Sequence, residues 1–105
     1  MLGDLTGKHA IVTGAGSGIG TGIASVMASL GAYVAIADLN EEAADRISDQ
    51  ISGSTMSLGI DVTKIQSVQK AVDQIISEWG KIDILVNNAG VASAEHRSPS
   101  GDREI

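Results

Sequence analysis

The feature that most constrains the fold is a cluster of four glycines between a short apolar run and a longer amphipathic segment. The run His9–Thr13 (HAIVT) is typical of a strand buried on both faces. After Gly18, apolar residues recur at spacings of three and four, which predicts a helix. A glycine-rich turn between them exposes amides at the helix start, where the helix dipole favours negative charge. We therefore predict a phosphate-binding turn over residues 13–20 (TGAGSGIG).

Three glycines of this turn have separable predicted roles. Gly14 permits the tight turn, Gly18 lets the backbone approach a pyrophosphate, and Gly20 lets the helix pack closely on the sheet. A P-loop would instead require Lys and then Ser or Thr after the last glycine, whereas Thr21 and Gly22 follow it. The sequence therefore disfavours a nucleoside triphosphatase.

The next segment continues the alternation of helix and strand. Gly31 predicts the end of the first helix, and residues 33–37 (YVAIA) form a second short apolar run. Strand, helix and strand thus fit within about thirty residues, the size of a βαβ unit. Asn40 is predicted to cap a second helix, whose first residues, Glu41 and Glu42, suit the positive end of its dipole.

Two further strands and a third helix complete the pattern. Residues 56–61 (MSLGID) alternate between apolar and small or polar side chains, which predicts a strand near a sheet edge. Thr63 and Gln66 match a capping box, and the apolar stripe of the third helix ends at Gly80. Residues 82–86 (IDILV) predict the fourth strand.

Strands that alternate with helices at this spacing predict an α/β fold with a parallel sheet and right-handed crossovers. We expect residues 1–92 to form the first half of a Rossmann-like, doubly wound fold that ends in the fourth strand. Residues 93–105 (SAEHRSPSGDREI) are polar and hold the only Pro, so we predict a surface tail. A shortened substrate loop, a frameshifted end and a truncation scar are alternative interpretations of this tail.

Composition and charge exclude several classes of protein. Hydrophobic residues make up 43% of the 105 residues and charged residues 19%, which is a globular balance. The formal net charge of -6 is opposite to what attracts a nucleic-acid backbone. There is no Cys, and no apolar segment reaches the ~18 residues that a membrane span requires. We expect one cytoplasmic domain that binds neither nucleic acid nor membrane.

The glycine spacing and three later motifs resemble the short-chain dehydrogenase/reductase family. A G-x-G-x-x-G motif would put glycine where Ile19 stands, whereas T-G-x-x-x-G-x-G fits residues 13–20. Asp38 ends the second predicted strand, an Asp-Val pair follows the third, and residues 87–90 (NNAG) follow the fourth. The resemblance covers residues 8–92 and implies a Rossmann-like fold that binds NAD.

Asp38 is expected to select NAD over NADP. At the end of the second strand its carboxylate can accept hydrogen bonds from the adenosine ribose hydroxyls. A 2′-phosphate would bring like charge beside it, and neither Ser17 nor Leu39 is a basic residue that would offset that charge. The alternative is that Asp38 begins a loop or caps the next helix.

The resemblance also implies cofactor contacts after the third and fourth strands. It implies that the Asp61 carboxylate accepts from the adenine amine and that Val62 contributes backbone, and Asp61 also fits a helix N-cap. It implies that Asn87 braces the sheet while residues 88–90 run beside the cofactor ribose. The predicted cofactor-binding residues are Gly14, Ser17, Gly18, Ile19, Gly20, Asp38, Asp61, Val62, Asn88, Ala89 and Gly90.

The chain lacks the catalytic residues that the resemblance implies. The family's Ser, and its Tyr followed four residues later by Lys, come after N-N-A-G, whereas here the only Tyr, Tyr33, is followed at that spacing by Ala37. We therefore predict no catalytic residue. We also predict no metal site, because His9 and His96 lack metal-like spacing. Tyr33 is interpreted as a strand residue packed under a helix, and Trp79 as a core or interface anchor.

Functions from different classes fit these observations. The leading hypothesis is the NAD-binding portion of an oxidoreductase that interconverts an alcohol and a carbonyl by hydride transfer, once a second segment completes it. The alternative is a non-catalytic dinucleotide-binding or dimerising module. A flavin or nucleotide-sugar protein fits less well, because Asp38 with the NNAG turn matches dehydrogenases better. The outer edge of the fourth strand is expected to carry unpaired backbone groups beside apolar surface, so we predict that the isolated chain self-associates or is poorly stable.

Overall fold

The computed structural model describes residues 4–88, which form four strands alternating with three helices. In chain order these elements are β1 (His9–Thr13), α1 (Gly18–Ser29), β2 (Tyr33–Asp38), α2 (Glu41–Gln50), β3 (Thr55–Gly59), α3 (Ile65–Trp79) and β4 (Ile84–Asn87). All seven predicted elements are present in the predicted order. No helix within this range is long and apolar enough to cross a bilayer. The predicted tail, residues 93–105, lies outside the described range.

The four strands form one parallel sheet in the order β3-β2-β1-β4. β1 pairs with β2 as far as Thr13 opposite Ala37, and with β4 as far as Thr13 opposite Asn87. Parallel pairing puts the carboxyl ends of all four strands on the same side of the sheet, and ligands bind at the carboxyl ends of the strands in open α/β folds. The Rossmann-like α/β fold class is confirmed, and β3 lies at a sheet edge as predicted.

Helices cover both faces of the sheet. α1 and α2 pack on one face against a cluster that includes Val12, Val34 and Ile36, all fully buried. α3 covers the other face, where Ile75 packs among residues that include Leu58. Each fully buried aliphatic side chain contributes about 1.5–3 kcal/mol relative to its exposed state. The central strands are continuous apolar runs because both of their faces are buried.

Most helix ends agree with the sequence patterns. Oδ1 of Asn40 accepts a hydrogen bond from the amide of Ala43 at 3.1 Å, which confirms Asn40 as the N-cap of α2. Gly31 and Gly80 follow α1 and α3 with φ of 98° and 85°, a left-handed conformation that favours glycine. Both predicted helix stops are therefore confirmed.

The segment before α3 differs from its prediction. The capping box at Thr63 and Gln66 is wrong, because α3 begins after Lys64 and has no side-chain cap. The Thr63 hydroxyl instead donates to Oδ1 of Asp61 at 2.6 Å, so it is directed away from the helix. β4 likewise begins at Ile84, two residues later than the predicted strand.

Candidate dinucleotide-binding site

In the turn between β1 and α1, the N-cap side chain makes no hydrogen bond to the first amides of α1. The N-cap residue, Ser17, is extended (φ −163°, ψ 163°), and its side chain makes no capping hydrogen bond. The first turn of α1 carries no acidic side chain, and Ile19 is 75% exposed. Because the first amides of a helix have no partner within it, these amides are available to an anion, which the helix dipole favours.

Two glycines of this turn have backbone conformations that other residues rarely adopt. Gly14 has a φ of 67° and Gly18 a φ of 58°. A β-carbon on Gly18 would meet nothing within 4 Å, so this position faces open space. The open face of the turn is what the close approach of a ligand to the backbone requires.

Gly20 packs α1 tightly against the same turn. A β-carbon at this position would overlap the carbonyl oxygen of Gly14, which leaves no room for a side chain. The hydroxyl of Thr21 donates to the carbonyl of Ala15 at 2.8 Å and ties the helix to the turn. The close packing expected of Gly20 is therefore present, and its nearest partner is the turn itself rather than the sheet.

Asp38 lies at the carboxyl end of β2 with both carboxylate oxygens bound to backbone amides. Oδ2 accepts from the amide of Gly16 at 2.9 Å, and Oδ1 accepts from the amide of Asn40 at 2.9 Å. The first bond places the carboxylate beside the glycine turn, and the second starts the loop into α2. The alternative that Asp38 caps α2 is wrong, because Asn40 is the N-cap. Since each carboxylate oxygen has two lone pairs, acceptor capacity remains for a ligand hydroxyl.

Asp61 and Val62 follow β3 at the same edge of the sheet. The Asp61 carboxylate accepts from the hydroxyl and the amide of Thr63, and these two bonds lower its pKa, so the group is ionised at neutral pH. Asp61 is not the N-cap of α3, which is Lys64. Val62 is 37% exposed. The alternative N-cap role of Asp61 is therefore wrong, whereas its carboxylate is positioned and charged.

The end of β4 is tied to β1 and to the glycine turn. The Thr13 hydroxyl lies 3.3 Å from Oδ1 of Asn87 and from the carbonyl of Val86. The Asn88 side chain donates through Nδ2 to the carbonyl of Gly14 at 3.2 Å. These contacts bring the first two residues of the NNAG motif beside the turn. The remaining predicted site residues, Ala89 and Gly90, lie outside the described range.

Gly16 is a site residue that sequence reasoning missed. No role was predicted for it, because three of the four glycines accounted for the turn. Its amide binds Asp38, and a β-carbon on it would lie 2.8 Å from Oδ2 of Asp38. The signal that could have identified it is a fourth glycine that the T-G-x-x-x-G-x-G pattern does not require.

Three aromatic residues lie at the amino ends of the strands, away from the glycine turn. The rings of His9 and Tyr33 stack with centroids 4.5 Å apart and planes inclined by 11°. Trp79 packs edge-on against Tyr33 at 5.6 Å and also contacts the core under α3, as predicted. Tyr33 is 38% exposed, so it is less covered than a residue packed under a helix. Within residues 4–88 no group of three or more His, Cys, Asp or Glu residues could hold a metal ion.

Comparison with known proteins identifies the family within this fold class. The sheet order and alternating helices define a Rossmann-like α/β protein. Residues 8–104 match the family model described as short chain dehydrogenase. The chain therefore belongs to the short chain dehydrogenase family, which is a family of oxidoreductases.

Individual relatives extend well beyond the matched region. D-threitol dehydrogenase of Mycolicibacterium smegmatis is 50% identical over 91 residues, which are 84% of this chain and 35% of that protein. A hydroxysteroid dehydrogenase structure from Escherichia coli matches with a TM-score of 0.78 and 46% identity, covering 82% of this chain and 36% of that one. The 3-ketoacyl-(acyl-carrier-protein) reductase of Brucella melitensis, complexed with NADH, matches with a TM-score of 0.75 and 40% identity, covering 78% and 34%. The chain spans about a third of the length of each.

Proposed function

We propose that the chain is the NAD-binding part of a short-chain oxidoreductase. In this proposal the turn between β1 and α1 binds the pyrophosphate, and Asp38 binds the adenosine ribose. The observation that carries it is the Asp38 carboxylate bound to the Gly16 amide, within the same turn that presents the uncapped start of α1. A ligand that carries a diphosphate next to a ribose would bind both the first amides of α1 and the Asp38 carboxylate, whereas a phosphate ion would bind only the amides.

The charges around Asp38 support NAD rather than NADP. A 2′-phosphate beside the carboxylate would introduce repulsion between like charges. The neighbouring residues in a position to offset it, Ser17 and Leu39, are both exposed and uncharged. The NADH complex of the Brucella melitensis reductase supports the same choice.

Asp61 and Val62 are proposed to contact the adenine. The amide of Ile60 donates to the carbonyl of Asp38 at 3.0 Å, so the segment after β3 is held against the end of β2. The ionised Asp61 carboxylate can accept a hydrogen bond from an amine, and Val62 presents partly exposed apolar surface. This arrangement places an acceptor and an apolar contact next to the proposed ribose-binding residue.

The parent enzyme is proposed to interconvert an alcohol and a carbonyl compound. The nicotinamide cofactor, when bound, accepts or supplies the hydride. The described residues bind and orient that cofactor, and we assign none of them a proton-transfer role. Tyr33, the only tyrosine, begins β2 and therefore lies at the opposite edge of the sheet from the glycine turn.

Isothermal titration calorimetry of the folded chain with NADH tests the proposed site. We expect saturable binding that is stronger than the binding of inorganic pyrophosphate. Gly18→Asp should abolish it, because a negative side chain would face the phosphates at a position with open space. Gly18→Asn is the matched control, because it puts an uncharged side chain of the same size on the same left-handed backbone, and it should weaken binding less. No heat of binding with folded wild-type chain would refute the proposal.

A second proposed property, self-association, is favoured by the surface of β4. Within the described sheet β4 pairs only with β1, so its other edge has no strand partner. Leu85 on this strand is 66% exposed. An apolar edge strand is a template for pairing with another chain. We propose that a second copy of this chain adds to β4 when no other segment covers it.

A further inference from the structure

We propose that Gly16 is a positioning residue for cofactor selectivity. It acts through Asp38: its amide holds the carboxylate, and its missing side chain leaves the space that the carboxylate occupies. The proposal rests on the proposed NAD site and extends it to a residue outside the three glycines of the family pattern.

The requirement for glycine at position 16 comes from space and not from backbone conformation. Gly14 and Gly18 have positive φ, whereas Gly16 does not, so other residues could adopt its backbone. A β-carbon on Gly16 would lie 2.8 Å from Oδ2 of Asp38 and 2.9 Å from the β-carbon of Ala43. Because real β-carbons do not approach other atoms this closely, both contacts would have to be relieved, the one with the carboxylate and the one with Ala43 in the first turn of α2.

The surroundings decide how each of the two contacts is relieved. Ala43 is buried, and its amide is held by the side chain of Asn40, so the first turn of α2 is anchored. The Asp38 carboxylate is the end of a side chain that can rotate, and rotation would break its 2.9 Å bond to the Gly16 amide. A methyl group at position 16 is therefore expected to shift the glycine turn slightly away from Ala43 and to turn the carboxylate. The bond to the Asn40 amide is then the carboxylate's remaining anchor.

An oriented carboxylate discriminates between two cofactors better than a rotating one. Held by amides on both sides, it offers its free lone pairs in one direction, and it cannot swing away from an incoming 2′-phosphate. Loss of this orientation should weaken hydrogen bonds to the ribose and relieve repulsion of the phosphate. We expect Gly16→Ala to reduce the ratio of NADH affinity to NADPH affinity by about tenfold, the scale of one hydrogen bond to a charged group.

A double-mutant cycle tests whether Gly16 acts through Asp38. Fluorescence titration with NADH and NADPH would be applied to the wild type, Gly16→Ala, Asp38→Ala and the double variant, with Gly22→Ala as an exposed glycine control. We expect Gly16→Ala to lower the selectivity of the wild type and to change nothing further once Asp38 is Ala. An unchanged ratio in Gly16→Ala, or an equal effect in both backgrounds, would overturn the proposal.

The amide resonance of Gly16 gives a second readout that does not require the Gly16→Ala variant to fold. In ¹⁵N-labelled chain, Asp38→Asn should shift the amide proton resonance of Gly16 upfield, because a charge-assisted hydrogen bond becomes a neutral one. The amide resonance of Gly22 should not shift. An unshifted Gly16 resonance would overturn the contact and the proposal with it. Failure of the wild type to bind either dinucleotide would instead refute the NAD site, and a shifted resonance would then show that the contact itself is sound.

Discussion

The backbone amide of His9 donates to Oδ2 of Asp83 at 2.8 Å, and this bond joins the first residue of β1 to the residue that precedes β4. The same oxygen lies 3.7 Å from Nδ1 of His9 and 3.5 Å from Nζ of Lys81. The amide of His9 lowers the pKa of the Asp83 carboxyl below its ordinary value of 3.8, and the charge of Lys81 acts in the same direction. The ionised carboxylate therefore stabilises the connection between β1 and β4.

Acidification is expected to remove this contribution from Asp83. Because the folded-state pKa lies below 3.8, the contribution is fully present above that value and is lost as the pH falls through the folded-state pKa. The wild type should therefore be more stable than Asp83→Asn at neutral pH, by a difference that shrinks in strong acid. Urea unfolding followed by circular dichroism at a series of pH values measures this difference. Asp61→Asn should show the same dependence on pH, because the hydrogen bonds from Thr63 lower the pKa of Asp61. A stability difference between wild type and variant that does not change with pH would contradict the expectation.

Gly20→Ala is expected to destabilise the fold by about 1–3 kcal/mol, the usual cost of forcing an extra group into a packed site. The added β-carbon would overlap the carbonyl of Gly14, a backbone atom that cannot rotate away. Gly22→Ala on the same helix meets nothing within 4 Å and should be neutral or stabilising by up to ~1 kcal/mol. Midpoints of urea unfolding compare the two variants, and equal midpoints would show that the close contact is not important.

Asn88→Ala is expected to lower both stability and NADH affinity. It removes the hydrogen bond from Nδ2 to the carbonyl of Gly14, which costs about 0.5–1.5 kcal/mol of unfolding free energy and loosens the proposed phosphate-binding turn. Gln69→Ala is a suitable control, because it removes an exposed bond to Asp73 on α3, far along the chain from the turn. Calorimetric titration and urea unfolding would be run on both variants. If Asn88→Ala loses stability but keeps its NADH affinity, Asn88 does not contribute to the proposed binding site.

Leu85→Lys is expected to reduce self-association of the chain. The substitution puts a charge on the exposed side of β4, and charged side chains on edge strands oppose pairing with another chain. Ile65→Lys is the comparison, because Ile65 is 83% exposed at the start of α3 and does not lie on the open strand. Sedimentation velocity over a range of concentrations reports the result. A wild type that is monomeric at every concentration would rule the association out.

The secondary structure was predictable because its signals are local. The apolar run of β1 and the helical spacing of α1 each lie within a few neighbouring residues, as does the Asn40 cap of α2. The capping box failed where two local signals competed. Thr63 has the spacing to cap α3, but the carboxylate of Asp61 is nearer and charged, and it takes the hydroxyl hydrogen bond.

The contacts that assemble the candidate site could not be predicted in this way, because they join distant segments. Asn88 and Gly14 are 74 residues apart, and Gly16 and Asp38 are 22 apart. The glycine motif indicated where a ligand would approach, but only the folded sheet brings these groups to one edge. The stacking of His9 on Tyr33 is of the same kind, since it depends on the register between β1 and β2.

The central place of β1 affects the order in which the chain can fold during synthesis. β2 emerges from the ribosome early and can pair with one side of β1, but β4 pairs with the other side and is made last among the four strands. Until β4 is made, the side of β1 that pairs with β4 lacks its strand partner. Bringing β4 to β1 closes a loop that contains all the residues between these two strands, and this closure costs conformational entropy. Nascent chains halted before β4 has emerged should therefore engage chaperones more strongly than chains halted after β4 has emerged.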